Sequence, residues 1–133
     1  QSFDLYSTGK RRLFGKTSNS FERLELQIEK SRELQIYIIL KGGYTSISTP
    51  SGQLYFRSAG NPGMGTGGSG DVLTGILTGL LAQQYSSLQS CLLGVHLHGL
   101  AGDLAAKELS QESLIAGDLV KFIGKAYLEI GKL

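Results

Sequence analysis

The sequence predicts an α/β fold, in which a central sheet is flanked by helices. Residues 36–40 form a short β-branched apolar run without alternation, which is typical of a strand covered on both faces. After this run, apolar residues recur at helical spacing in three separate segments. Strands and helices are therefore expected to build one layered core.

The predicted elements follow one another without an internal repeat. Asn19 and Glu22 have the spacing of a capping box and predict a helix whose positions Phe21, Leu24 and Ile28 share a face. After the buried strand, residues 45–48 and 53–58 alternate in polarity around a Pro-Ser-Gly turn at 50–52, which predicts a β-hairpin.

Three helices are predicted in the second half. The first begins near Asp71, and its Gly75 and Gly79 would let another backbone lie close. The second contains Leu88, Leu92, Val95 and Gly99, and the third runs from about Leu119 to Ile130 with Asp118 as a cap.

One buried strand and a hairpin are too few to cover both faces of a sheet with this many helices. We therefore expect residues 1–133 to form a single, incomplete domain that needs further residues or a partner. Exposed sheet edges would favour a homo-oligomer.

Composition excludes several classes of function. The 133 residues carry a formal net charge of +2, too small to indicate nucleic-acid or membrane binding. The longest apolar stretch is too short to span a bilayer. The single cysteine, Cys91, lies among leucines, so we expect a buried thiol in a protein of the reducing cytoplasm.

The segment from Gly60 to Asp71, Gly-Asn-Pro-Gly-Met-Gly-Thr-Gly-Gly-Ser-Gly-Asp, carries the main functional signal. Glycines before a helix let backbone N–H groups turn toward an anion, and the helix N-terminus adds its own donors and positive dipole end. Gly68, Ser69 and Gly70 are the candidate anion-hole residues.

Asp71 is the only acidic residue between Glu33 and Asp103, and it lies beside this predicted phosphate site. It can be an N-cap or first-turn acid that stabilises the helix. It can also be a general base that takes a proton from an attacking hydroxyl. The spacing alone leaves both roles open.

Two common nucleotide motifs do not explain the segment. Gly65, Gly67 and Gly70 match Gly-x-Gly-x-x-Gly, but no strand directly precedes the loop and no acid follows about 20 residues later to hold a ribose. The segment also lacks the Gly-Lys-Ser/Thr ending of a P-loop. His96 and His98 are two residues apart on a predicted helix and so on different faces, which makes them a poor metal pair. Packing or hydrogen bonding within the helices is the better interpretation.

The segment resembles the C-terminal signature of the ADP-dependent NAD(P)H-hydrate dehydratases, members of the ribokinase-like superfamily. Residues 40–47 are similar to the family's Lys-Gly-x-x-Thr nucleotide segment, and residues 98–103 and 113–118 are similar to its closing helices. The resemblance covers residues 12–133 and leaves residues 1–11 atypical. It implies the C-terminal part of a ribokinase-like layered fold.

The resemblance also implies a reaction and its residues. ADP, or ATP, with Mg²⁺ would phosphorylate the hydroxyl of hydrated NADH or NADPH, and phosphate would then leave to restore the cofactor. Asp71 would be the catalytic base and contact the hydrate, with Gly68, Ser69 and Gly70 as the anion hole. The AMP portion would be bound by Gly70 together with Lys41, Gly42, Gly43, Tyr44 and Thr45.

The sequence departs from the family before Arg12, where Tyr6–Arg11 supply neither the family's His nor its acid. The family's N-terminal portion is also absent from these 133 residues. Two alternatives to the dehydratase therefore stay open: a small-molecule kinase of the same superfamily, and a non-catalytic remnant that binds nucleotide.

Overall fold

The computed structural model describes residues 3–6, 19–41, 44–58 and 67–131. Gly42, Gly43, residues 59–66 and the family-like stretch 12–15 lie outside the described residues. The elements are β1 (Phe3–Tyr6), α1 (Ser20–Leu34), β2 (Tyr37–Leu40), β3 (Tyr44–Ser48), β4 (Leu54–Ser58), α2 (Ser69–Ala82), α3 (Ser87–Leu109) and α4 (Ala116–Ile130). They divide into two compact units, residues 1–58 and 59–133; the single-domain interpretation stays a prediction.

The first unit contains a four-stranded sheet in the order β1-β2-β3-β4. β1 runs parallel to β2, whereas β2, β3 and β4 are successively antiparallel. All four residues of β2 are buried, which confirms the strand predicted from the apolar run. β1 was not predicted from the sequence. Sheet and helices together confirm the α/β class.

The predicted hairpin is confirmed. Ser48 pairs with Leu54, and the connecting turn is closed by the Gly52 N–H, which donates to the Thr49 carbonyl at 2.9 Å. Gly52 has φ +88°, a left-handed conformation that glycine adopts without a steric penalty. Pro50 suits this turn because its ring presets φ near the value that a turn's second residue needs.

α1 begins as predicted but faces the sheet with polar side chains. The Asn19 side chain accepts a hydrogen bond from the Glu22 N–H at 2.8 Å, which confirms Asn19 as the N-cap. Phe21, on the predicted apolar face, is 70% exposed, whereas Gln27 and Ser31 are fully buried. The sequence pattern therefore did not identify the side of α1 that packs most tightly.

The buried Gln27 side chain makes hydrogen bonds through both its amide nitrogen and its amide oxygen. Its amide nitrogen donates to the carbonyl of Ile38 at 3.2 Å and to that of Ser46 at 3.4 Å, and its amide oxygen accepts from the Ser46 hydroxyl at 2.9 Å. The hydroxyls of Ser31 and Ser48 form a further buried hydrogen bond. A buried amide is tolerated when its donors and acceptors are matched in this way.

The second unit consists of α2, α3 and α4 around an apolar core. Leu97, Ala101, Ala105, Leu119 and Ala126 are completely buried in it. No helix in the described part of the chain is both long and apolar enough to cross a membrane.

α3 approaches α2 closely at Gly94. A Cβ atom placed on Gly94 would lie 2.8 Å from the Leu77 side chain, so a larger residue there would require that side chain to shift. Cys91, on the same helix, is fully buried as predicted. Burial raises the pKa of its thiol to about 12, which describes an inert side chain rather than a nucleophile.

Candidate functional site

The predicted anion-hole residues lie together at the N-terminus of α2. The helix begins at Ser69, and its N-cap, Gly68, has φ +87° and makes no side-chain capping hydrogen bond. The first helical hydrogen bond runs from the Val72 N–H to the Gly68 carbonyl at 3.1 Å. The N–H groups before Val72 have no acceptor within the helix and carry the positive end of its dipole. This geometry suits a phosphate.

Asp71 is exposed and lies in the first turn of α2. Because Gly68 occupies the N-cap, the structure favours the first-turn alternative over the N-cap alternative for the stabilising role. Position 71 also places the carboxylate one turn or less from the helix-end donors. The general-base role therefore remains compatible with the local geometry.

Asp71 also lines a groove of about 500 Å³ between α2 and α4. The other lining residues are largely apolar: Val72, Gly75, Ile76, Gly79, Gln83, Val120, Ile123 and Tyr127. No described atom would come within 4 Å of a Cβ on Gly75 or Gly79 beyond their own neighbours. The close backbone approach predicted at these two glycines is therefore not found in the described part of the chain.

The side chain of Ser69 is held by His98. Ser69 and His98 are 2% and 4% exposed, and the His98 Nε2 lies 3.0 Å from the Ser69 carbonyl oxygen and 3.2 Å from its hydroxyl oxygen. Of the two alternatives left open for His98, packing or hydrogen bonding within the helices, the structure shows hydrogen bonding. The sequence did not identify Ser69 as its partner, because the two residues are 29 positions apart.

The N-terminus of α4 lies beside that of α2. A Cβ atom on Gly68 would lie 3.1 Å from the Cβ of Ala116, the first residue of α4. Within α4, the Asp118 carboxylate accepts a hydrogen bond from the Ile115 N–H at 3.0 Å, which confirms a capping role for Asp118. Two positive helix ends thus meet close to the predicted anion hole.

The predicted nucleotide segment lies in the first unit, where β2 connects to β3. Lys41 follows β2 and is partly buried, and desolvation by burial lowers its pKa. Tyr44 is 70% exposed and Thr45 is buried. Gly42 and Gly43 lie outside the described residues. Lys41, Tyr44 and Thr45 therefore lie at one end of the β2–β3 pair, and Gly68, Ser69, Gly70 and Asp71 lie in the second unit.

Comparison with known proteins identifies the family. A model of the NAD(P)H-hydrate dehydratase family matches residues 10–125. The bifunctional NAD(P)H-hydrate repair enzyme Nnr of Moorella thermoacetica is 46% identical over 114 residues, which are 84% of this chain and 22% of that protein. The ADP-dependent (S)-NAD(P)H-hydrate dehydratase of Bacillus subtilis is 33% identical over 106 residues, which are 80% of this chain and 38% of that protein.

Solved structures agree with the predicted fold. The ADP/ATP-dependent NAD(P)H-hydrate dehydratase from Bacillus subtilis, co-crystallized with ATP/Mg²⁺, superimposes with a TM-score of 0.87 at 30% identity, over 96% of this chain and 47% of that one. A ribokinase-like superfamily protein from Enterococcus faecalis has a TM-score of 0.65 at 29% identity, over 93% of this chain and 43% of that one. The chain thus spans less than half the length of each of these proteins. By its match over residues 10–125, it belongs to the NAD(P)H-hydrate dehydratase family.

Proposed function

We propose that this chain carries the phosphate site and the catalytic base of an ADP-dependent NAD(P)H-hydrate dehydratase. The observation that carries the proposal is the position of Asp71, an exposed carboxylate in the first turn of α2, next to the N–H donors of Gly68–Gly70. A donor cluster alone serves phosphate binding, whereas a donor cluster with an adjacent carboxylate can also accept a proton during phosphoryl transfer.

The proposed reaction has two steps. Asp71 accepts the proton of the hydrate hydroxyl as that oxygen attacks the terminal phosphorus of the nucleotide, and AMP leaves when the nucleotide is ADP. Negative charge on the transferring phosphoryl group is stabilised by the donors of Gly68, Ser69 and Gly70 and by the helix dipole. The carbon–oxygen bond to phosphate then breaks, and a proton leaves the adjacent ring carbon to water, so that a ring double bond forms and NADH or NADPH is restored.

We assign contacts with the nucleotide's AMP portion to the segment from Lys41 to Thr45. Lys41 supports this assignment, because a partly buried lysine whose pKa is lowered by desolvation is stabilised when an anion arrives. Tyr44 offers an exposed aromatic ring at the same sheet end. The solved relative that was co-crystallized with ATP/Mg²⁺ supports a nucleotide ligand.

Mg²⁺ is proposed to enter with the nucleotide. The described residues include no group of three His, Cys, Asp or Glu side chains placed to hold a metal ion. Mg²⁺ commonly keeps several waters and is held by substrate phosphates with few protein ligands. Such an ion would neutralise charge on the phosphates, and the donors of the α2 N-terminus would still orient them.

We further propose that the protein forms a homo-oligomer and acts in the cytoplasm. Val120 and Leu128 on α4 are 57% and 70% exposed, and apolar side chains of this size favour association when they are clustered on one face. The free, buried Cys91 is compatible with a reducing compartment.

The test is an activity assay of the 133-residue chain with hydrated NADH, ADP and Mg²⁺. Regained NADH absorbance and released phosphate are measured together. Asp71→Asn is expected to lower the rate about 10²- to 10⁴-fold, the usual contribution of a general base. Glu112→Gln, an exposed acid in the loop before α4, is the matched control and should leave the rate unchanged.

The outcomes separate the alternatives. A stable phosphorylated product without regained NADH would identify a kinase. Nucleotide binding without turnover would identify a non-catalytic remnant. Equal rates for the wild type and Asp71→Asn would contradict the role of Asp71.

A further inference from the structure

We propose that His98 is a positioning residue that fixes the first residue of α2 and thereby orients the phosphate donors. The inference rests on the proposed function, because it assigns a role relative to the phosphate site. His98 itself touches Ser69, so its effect on the nucleotide would be transmitted through Ser69.

The direction of the hydrogen bond follows from the acceptor. A carbonyl oxygen can only accept, so the His98 Nε2, 3.0 Å from the Ser69 carbonyl, must carry a hydrogen. The same N–H faces the Ser69 hydroxyl oxygen at 3.2 Å. His98 therefore acts on both oxygens of Ser69 as a donor, and the serine hydroxyl does not donate to the imidazole.

Burial makes this contact specific. Both residues are more than nine-tenths buried, so water cannot readily replace the imidazole when it is removed. A buried polar group that loses its partner costs more than an exposed one. The backbone of Ser69 would then be expected to shift toward another donor, and the neighbouring Gly70 N–H would move with it.

A second contact between α2 and α3 is independent of His98 and keeps the two helices packed together. One turn before His98 on α3, Gly94 admits the Leu77 side chain of α2. This contact lies in the middle of α2, eight residues from Ser69. Loss of the His98 hydrogen bond should therefore leave α2 docked on α3 and release only its first turn.

The first turn is where such a release matters. Phosphoryl transfer depends on donors held in place before the reaction, and a displacement of about 1 Å can cost roughly 10²-fold in rate. His98 provides a rigid, buried reference point for Ser69 and, through the backbone, for Gly70 and Asp71.

The experiment compares His98→Leu, which removes the donor, with His98→Gln, whose amide N–H can replace it. Leu97→Ala is the control. Leu97 is a fully buried α3 residue in the apolar core, so this substitution removes packing without removing a side-chain hydrogen bond. We expect His98→Leu to lower kcat/KM for ADP at least tenfold, His98→Gln to restore much of it, and Leu97→Ala to have a smaller effect at a greater loss of stability.

Two NMR measurements test the contact without nucleotide. The ring spectrum of His98 in the wild type should show a protonated Nε2, and the amide signals of Ser69 and Gly70 should shift in His98→Leu but return toward wild type in His98→Gln. An unprotonated Nε2, or unchanged amide signals in His98→Leu, would overturn the proposal.

The activity and NMR results distinguish two kinds of failure. An inactive wild-type chain with the expected NMR changes would contradict the proposed function but retain the His98–Ser69 coupling. An active wild type whose kcat/KM for ADP is unchanged in His98→Leu would overturn the positioning role.

Discussion

Gly68→Ala tests whether the backbone conformation before α2 builds the phosphate site. Gly68 has φ +87°, and a residue with a Cβ pays about 1–2 kcal/mol for a left-handed conformation. The added methyl would also lie 3.1 Å from the Cβ of Ala116, so the α4 N-terminus must yield slightly. We expect the free energy of unfolding to fall by about 1–2 kcal/mol.

Gly67→Ala is a matched control for this substitution. Gly67 is the preceding exposed glycine, and no atom of the described residues would lie within 4 Å of a Cβ placed there. Its stability should change by no more than about 0.5 kcal/mol. Urea denaturation followed by circular dichroism gives both values.

The same pair of variants tests the link to the ligand. If the Gly68 conformation aims the donors of Ser69 and Gly70, ADP–Mg²⁺ affinity by calorimetric titration should fall about tenfold in Gly68→Ala, corresponding to about 1.4 kcal/mol. It should be retained in Gly67→Ala. Equal stability of the two variants would refute the strain argument, and unimpaired ADP binding by Gly68→Ala would refute its link to the phosphate site.

Two further predictions concern packing and charge. Gly94→Ala should lower the free energy of unfolding by about 1–3 kcal/mol, because its methyl would lie 2.8 Å from Leu77. Gly124→Ala lies at an exposed position of α4 with no described side chain near its Cβ, so it should leave that free energy unchanged or raise it slightly. Urea denaturation measures both values. Equal effects would contradict the overpacking argument. Lys41→Met should weaken ADP binding about tenfold. Burial also lowers the pKa of Lys41, so the folded state disfavours its charge. This penalty is full below the folded pKa and fades as pH rises toward 10.5, so denaturation should show the wild type gaining stability relative to Lys41→Met with pH; a difference independent of pH would contradict it.

Local signals in the sequence were sufficient for much of the fold. The strand at 37–40, the hairpin and the caps Asn19 and Asp118 each depend on residues within a few positions of one another. Side-chain periodicity and capping chemistry act at that range. These elements were therefore predictable without knowledge of their neighbours in space.

The features that were missed depend on distant residues. β1 is a four-residue strand that pairs with β2 from more than 30 positions away, and such a short segment is stabilised by its partner rather than by its own pattern. The burial of polar residues on α1 also depends on residues distant in sequence. Gln27 is buried because Ile38 and Ser46 present matching hydrogen-bonding groups, which no periodicity in α1 reveals.

In the candidate site, too, the features that depend on neighbouring residues were predictable and those that depend on distant residues were not. The segment from Gly60 to Asp71 is contiguous in sequence, so the helix end and its acid were predictable. The His98 contact to Ser69 and the approach of Ala116 to Gly68 join residues 29 and 48 positions apart. The sequence thus supplied the donors of the proposed phosphate site but not the side chains that hold them in place.

The spacing of the sequence leaves two roles open for Asp71, helix stabilisation and general-base catalysis, and the sizes of the two effects distinguish them. As a first-turn acid on an exposed helix end, its charge stabilises α2 by about 0.3–1 kcal/mol. A domain with the usual stability of about 5 kcal/mol or more would remain almost entirely folded after that loss. An activity loss of about 10²-fold or more in Asp71→Asn could therefore not come from the lost helix stabilisation, and it would place Asp71 in the reaction, as the proposed base and hydrate contact.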